Sequence, residues 1–192
     1  MREITLQRTT RETDITLALH LDGSGRFSGS SGIGFFDHML SAFAVHSGMD
    51  LSLQMTGDLE VDCHHSVEDV GIVLGQALGR LADKNAIQRY GSFFIPMDES
   101  LAFCSLDLGG RPFLVFDAAF QNPAVGQFDC CMTGEFFRAV AMQAGMTLHL
   151  RLLYGENDHH KIEALFKAFA HALRQAVAPK QGGPLSSKGV LG

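Results

Sequence analysis

Two segments of the chain, DCHHSVED (62–69) and NDHHKIEA (157–164), each carry a His-His-x-x-Glu cluster, and the clusters lie 95 residues apart. They are His64, His65 and Glu68, then His159, His160 and Glu163. Neutral imidazoles with a carboxylate form the ligand set for Zn, Mn, Fe or Ni. If each segment opens a helix, successive side chains turn by about 100° around its axis. His64 and Glu68 then share a face while His65 points away from both, and His159, Glu163 and His160 repeat that arrangement. One cluster can reach in two directions, which suits ligation of two different ions. A single such pair would read as decoration of a helix N-terminus. Two copies with the same Glu offset, each heading an amphipathic run, read as a metal site.

The elements that must position these residues are repeated as well. FFDHMLSAFAVHSGMDLSLQ (35–54) aligns without gaps with MTGEFFRAVAMQAGMTLHLR (132–151), Gly48-Met49 falling on Gly145-Met146. In this register His38 lies opposite Glu135, with 26 residues to the first His-His cluster and 24 to the second. Each half thus supplies four potential ligands: His38, His64, His65 and Glu68, then Glu135, His159, His160 and Glu163.

Alternation predicts strands at 2–9, 14–21 and 50–56, with a helix at 37–47 ended by Gly48 and another at 65–83. The second half reads as strands near 101–108 and 112–120, a helix at 133–144, a strand at 147–153 and a helix at 159–177. Val70, Val73, Leu74, Ala77, Leu78 and Leu81 line one face of 65–83; Ile162, Leu165, Phe166, Phe169, Leu173 and Val177 hold a helical period in the last helix. The expected fold is α+β: internally duplicated ββαβα halves, with two mixed four-stranded sheets enclosing a layer of helices. The first repeat occupies 1–88 and the second 89–178, with the joint around 84–92. The Gly-rich stretch 179–192 reads as a flexible C-terminal tail that closes over substrate.

The net charge is −6 with no basic run, which argues against nucleic acid as a partner. The N-terminus is charged from its second residue and lacks the apolar core of a signal peptide. No apolar run approaches the roughly 18 residues of a membrane helix, so no membrane partner is expected. Cys63, Cys104, Cys130 and Cys131 show no CxxC spacing and read as free thiols of a reducing, cytoplasmic compartment.

GFFDHMLSAF, GDLEVDCHHSVEDVGIVLGQALG, PMDESL, GGRPFLVF, TLHLRLLYGENDHHKIEALFKAFAHALRQA and the terminal PLSSKGVL together resemble the imidazoleglycerol-phosphate dehydratase family. The likeness runs collinearly from RTTRET (8–13) to the last few residues. It implies a lyase of histidine biosynthesis that removes water from D-erythro-imidazole-glycerol phosphate to give imidazole-acetol phosphate. It also implies two manganese ions per active site and a homo-oligomer of 24 subunits with active sites between neighbours. By that resemblance one ion takes His38, His65, His159 and Glu163, and the other His64, Glu68, Glu135 and His160. Glu12 matches the family's substrate-contacting acid and becomes the candidate acid/base. Arg89, Arg111, Ser186 and Lys188 match its phosphate-binding residues. Four departures stand out. Many members have histidine at the position of Glu135, an acid at that of Cys63 and SGRP where this chain has GGRP; some carry an amide at that of Ala42. Loss of the acid at Cys63 would remove a helix cap or an outer-shell partner, whereas Asp158 keeps it in the second copy.

The reaction takes a proton from a carbon bearing a hydroxyl and expels hydroxide from the carbon attached to the imidazole. Two divalent ions, one on each ring nitrogen, would stabilise an imidazolate form of the substrate by Lewis acidity. Glu12 would shuttle the proton, and Arg forks with a Lys point charge suit the phosphate. His20, His46 and His171 read as structural, while His149 lies on the strand before the second cluster. The alternatives are a dinuclear metallohydrolase, a metal-storing shell and, more weakly, a di-iron helical bundle.

Overall fold

Alternation of Ile15, Leu17 and Leu19 with polar residues makes β2 (Thr13–His20), and those three side chains are buried. β2 pairs antiparallel with β1 (Glu3–Thr9) and β4 (Asp50–Gly57), and β4 pairs in parallel with β3 (Phe27–Ser30). The computed structural model describes residues 2–181 and sets these strands in the order β1-β2-β4-β3. A second sheet, in the order β5-β6-β10-β7, repeats the same directions. It comprises β5 (Tyr90–Met97), β6 (Ser100–Asp107), β7 (Phe113–Asp117) and β10 (Thr147–Tyr154). Two-residue strands β8 (Ala124–Val125) and β9 (Phe128–Asp129) form a small hairpin between the sheets' crossovers.

Both sheets are mixed and four-stranded, as expected, but each half runs βββαβα. The added strands are β3 in the first half and β5 in the second; β7 is also shorter than the 112–120 expectation. The duplicated tail is partly tied down: Pro179 bridges to Ile87, and the Lys180 amide donates to the Ala86 carbonyl at 2.8 Å. Residues 182–192, and with them Ser186 and Lys188, lie outside the described residues.

Four helices fill the space between the sheets: α1 (Gly34–Ser47), α2 (His64–Leu81), α3 (Met132–Ala144) and α4 (Asp158–Ala176). The repeated Gly-Met ends α1 and α3 alike, with Gly48 and Gly145 in the left-handed conformation that a helix C-terminus favours (φ 74° and 64°). Helix pairing crosses the repeat: α1 packs on α4 and α2 on α3. Gly71 lets α2 and α3 approach closely, since a Cβ there would sit 2.9 Å from the Phe136 carbonyl oxygen. A helix pair containing one member from each half is what brings ligands from distant sequence together. Among the described residues no helix is long and apolar enough to cross a membrane.

Candidate metal centre

Helix α1 contributes His38, and α4 contributes His159 and Glu163 one turn apart. Their ligand atoms all lie within 4.8 Å of one another, the one such group of three among the described residues. Glu163 Oε2 is 3.3 Å from His38 Nε2 and 3.2 Å from His159 Nε2. Two imidazole nitrogens converging on one carboxylate oxygen form a donor set that fits a divalent cation. Asp37 anchors the start of α1 by accepting from Ser30 Oγ, Ser31 N and Ser31 Oγ. Phe35 packs edge-on against His159, with ring centroids 4.9 Å apart.

Sequence reasoning missed Lys167, whose Nζ lies 2.6 Å from Glu163 Oε1 one turn along α4. Burial alone would push the Glu163 carboxyl up; the Lys167 ammonium and His38 outweigh it and hold the carboxyl below its ordinary range. Lys167 thus occupies one oxygen and leaves the other facing the two rings. Its i+4 spacing from Glu163 was the available signal.

The repeat mates of this triad are Glu135 on α3 with His64 and Glu68 on α2, the helix pair related by the duplication. His64 Nε2 and Glu68 Oε2 are 3.5 Å apart. Glu135 accepts instead from Arg138 Nε at 3.2 Å, so this second group is less closed than the first. It differs by carrying two carboxylates where the first triad carries one.

The second histidine of each pair points elsewhere, as helical geometry requires. His65 Nδ1 lies 2.9 Å from Asp58 Oδ2, and its Nε2 is 3.7 Å from Glu12 Oε1. His160 Nδ1 lies 2.7 Å from Glu99 Oε2, and its Nε2 is 3.7 Å from Asp98 Oδ2. These hydrogen-bonded carboxylates raise the proton affinity of both rings. Neither His65 nor His160 belongs to the closed triad.

Glu12 is exposed on the β1–β2 hairpin. That hairpin is tied to α2 through Asp69, which accepts from Thr13 Oγ1 at 2.5 Å and pairs with Arg8 Nη2 at 2.9 Å. Arg89 is buried, with its guanidinium bidentate on Asp107 at 2.6 and 2.8 Å and 4.8 Å above the Tyr90 ring. The turn at Gly109 passes beside it: a Cβ there would lie 2.6 Å from Arg89 Nη2. In the GGRP departure, glycine therefore makes room for the Arg89–Asp107 pair. Arg111 follows that turn and is exposed. His149 faces away from the helices, since its neighbours Leu148 and Leu150 are the buried residues of β10. His46 and His171 pair with each other between α1 and α4 at 3.0 Å.

Cys63 is buried and accepts from the Asp129 amide at 3.4 Å. The lost acid does not leave α2 uncapped, because Asp62 Oδ1 accepts from the His64 amide at 2.7 Å. Asp158, its counterpart on α4, has a different duty. It accepts from Gln121 N, Asn122 N, Asn122 Nδ2 and Lys161 Nζ, tying the 119–122 segment to the helix. Burial would raise its carboxyl, but these donors prevail and hold it at about 2. The folded value lies below the ordinary one, so its stabilisation is present above pH about 4 and is lost as pH falls through about 2. Asp158→Ala strands the buried Lys161 ammonium and is expected to cost about 3–5 kcal/mol in chemical denaturation at neutral pH.

The family model for imidazoleglycerol-phosphate dehydratase (IGPD) matches residues 31–173. Imidazoleglycerol-phosphate dehydratase of Listeria welshimeri is 55% identical over 194 residues, covering 100% of both chains. That of Symbiobacterium thermophilum is 57% identical over 96% of this chain and 90% of its own. The crystal structure of the Staphylococcus aureus dehydratase superposes with a TM-score of 0.84 at 41% identity, covering 93% of this chain and 99% of the other. IGPD from Pyrococcus furiosus gives the same TM-score at 36% identity, covering 97% and 100%.

Proposed function

The chain belongs to the imidazoleglycerol-phosphate dehydratase family, a family of hydro-lyases in histidine biosynthesis, and from that premise we propose how its own residues run the reaction. The substrate is D-erythro-imidazole-glycerol phosphate and the products are imidazole-acetol phosphate and water. The observation that carries this reading is the triad of His38, His159 and Glu163, drawn from both halves of the repeat.

His38, His159 and Glu163 hold one manganese ion, and Glu135, His64 and Glu68 hold the other. Each triad is completed by the second histidine of the opposite half, His65 for the first and His160 for the second. Those histidines stand apart from the closed triad in this chain and keep Nε2 turned outward, so a neighbouring subunit supplies each of them. That requirement fits a closed homo-oligomer, with 24 subunits as the assembly. Bound there, the two ions supply Lewis acidity at the two ring nitrogens and favour the imidazolate form of the substrate.

The chain's own side chains do the rest. Glu12, exposed beside His65, takes the proton from the hydroxyl-bearing carbon and returns a proton to the departing hydroxide. Arg89 and Arg111, flanking the Gly109 turn, face the phosphate together with Ser186 and Lys188 from the terminal segment. The 179–192 tail closes over the phosphate and excludes water.

Incubating the purified protein with imidazole-glycerol phosphate and manganese should yield the ketone product. Release of inorganic phosphate without the ketone would instead identify a hydrolase. Manganese affinity should decline as pH falls through about 6.5, because protons compete for the ligand nitrogens. Isothermal titration at several pH values measures this, and a pH-independent affinity between 5 and 8 would contradict histidine ligation.

A further inference from the structure

The two halves place a glutamate at the same point, immediately before β2 and before β6: Glu12 and Glu99. They are used differently. Glu99 accepts from the Glu156 and Asn157 amides at 3.1 and 2.8 Å and binds His160 Nδ1, so its oxygens are engaged in holding that ring. Glu12 makes none of these contacts and approaches His65 only on the Nε2 side. In the first half Nδ1 is held by Asp58, the residue that directly follows β4. The residue that directly follows β10 is Gly155, where a Cβ would lie 2.3 Å from Ser100 Oγ. The second half thus has no space for a side chain at the position Asp58 occupies in the first.

We infer that Asp58 is a positioning residue which orients His65 through Nδ1 and, by taking that duty, leaves Glu12 free for proton transfer. Glu99 performs the same orientation for His160 and is thereby withdrawn from chemistry. Asp58 Oδ2 is spent on the ring, while Asp58 Oδ1 is buried without a hydrogen-bond partner among the described residues. A carboxylate on one imidazole nitrogen fixes the tautomer and presents the other nitrogen for ligation. The duplication has in this way divided one ancestral contact between two loops: a hairpin glutamate orients one histidine and a post-strand aspartate orients the other. This inference rests on the metal reading proposed above.

Manganese binding to the full-length wild type, Asp58→Ala, Asp58→Asn and Glu12→Gln, followed by titration and by Mn(II) electron paramagnetic resonance, tests it. Asp58→Ala should weaken one of the two classes of manganese site about 10–100-fold. Asp58→Asn, which keeps an acceptor oxygen, should recover part of that loss, and Glu12→Gln should bind manganese as the wild type does. Unaltered binding by folded Asp58→Ala, or equal losses in Asp58→Ala and Asp58→Asn, overturns the positioning role alone. A wild type that binds no divalent ion overturns the metal reading together with it.

Discussion

Glu163→Gln is expected to lower kcat/KM about a thousandfold and to abolish tight manganese binding at one site of the pair. The carboxylate is the only anion in the His38–His159–Glu163 triad, and its Oε2 is the atom both rings approach. Loss of Lewis-acid stabilisation worth several kcal/mol corresponds to about three powers of ten in rate. The change also leaves the Lys167 ammonium without its counter-charge, so a drop in thermal stability should accompany it. Metal titration and steady-state kinetics below the melting transition separate the two effects. Wild-type metal content in a well-folded variant would remove Glu163 from the ligand set.

Glu12→Gln should behave in the opposite way, with binding preserved and chemistry lost. Its side chain is exposed and makes no hydrogen bond recorded among the described residues, so the variant should melt like the wild type. General acid–base catalysis by a positioned carboxylate contributes about 10²–10⁴-fold, and kcat should fall within that range. KM and manganese affinity should change little. An activity within a few-fold of wild type would assign the proton transfer to another group.

Most of the site was legible because the chain states it twice. The two His-His-x-x-Glu clusters fixed the helical faces, and the gapless match of 35–54 to 132–151 paired His38 with Glu135. Strand β5 escaped notice because its inward residues begin with Gly91, where a Cβ would lie 1.9 Å from the Ala172 carbonyl oxygen. A sheet position that must be glycine to touch α4 leaves no mark in a hydrophobic pattern. β3 is hidden similarly, since FSGS buries little and pairs in parallel with a strand reached only through α1. Asp58, Glu99 and Lys167 were invisible as functional residues because each acts through another side chain, and outer contacts leave no spacing rule. The cross-repeat pairing of α1 with α4 and α2 with α3 is a tertiary fact, yet the ligand grouping depends on it.

The central claim is that each metal site joins both halves of the repeat and is completed by a neighbouring subunit. Subunit mixing tests it most directly. His65→Ala and His159→Ala should each be nearly inactive alone, since each breaks the same ion site from a different side. In a co-expressed assembly, an intact triad from the first variant meets an intact His65 from the second. Random mixing should then restore roughly a quarter of wild-type activity, given that the two contributions come from different chains. Mixed assemblies as inactive as either variant alone would contradict the shared site.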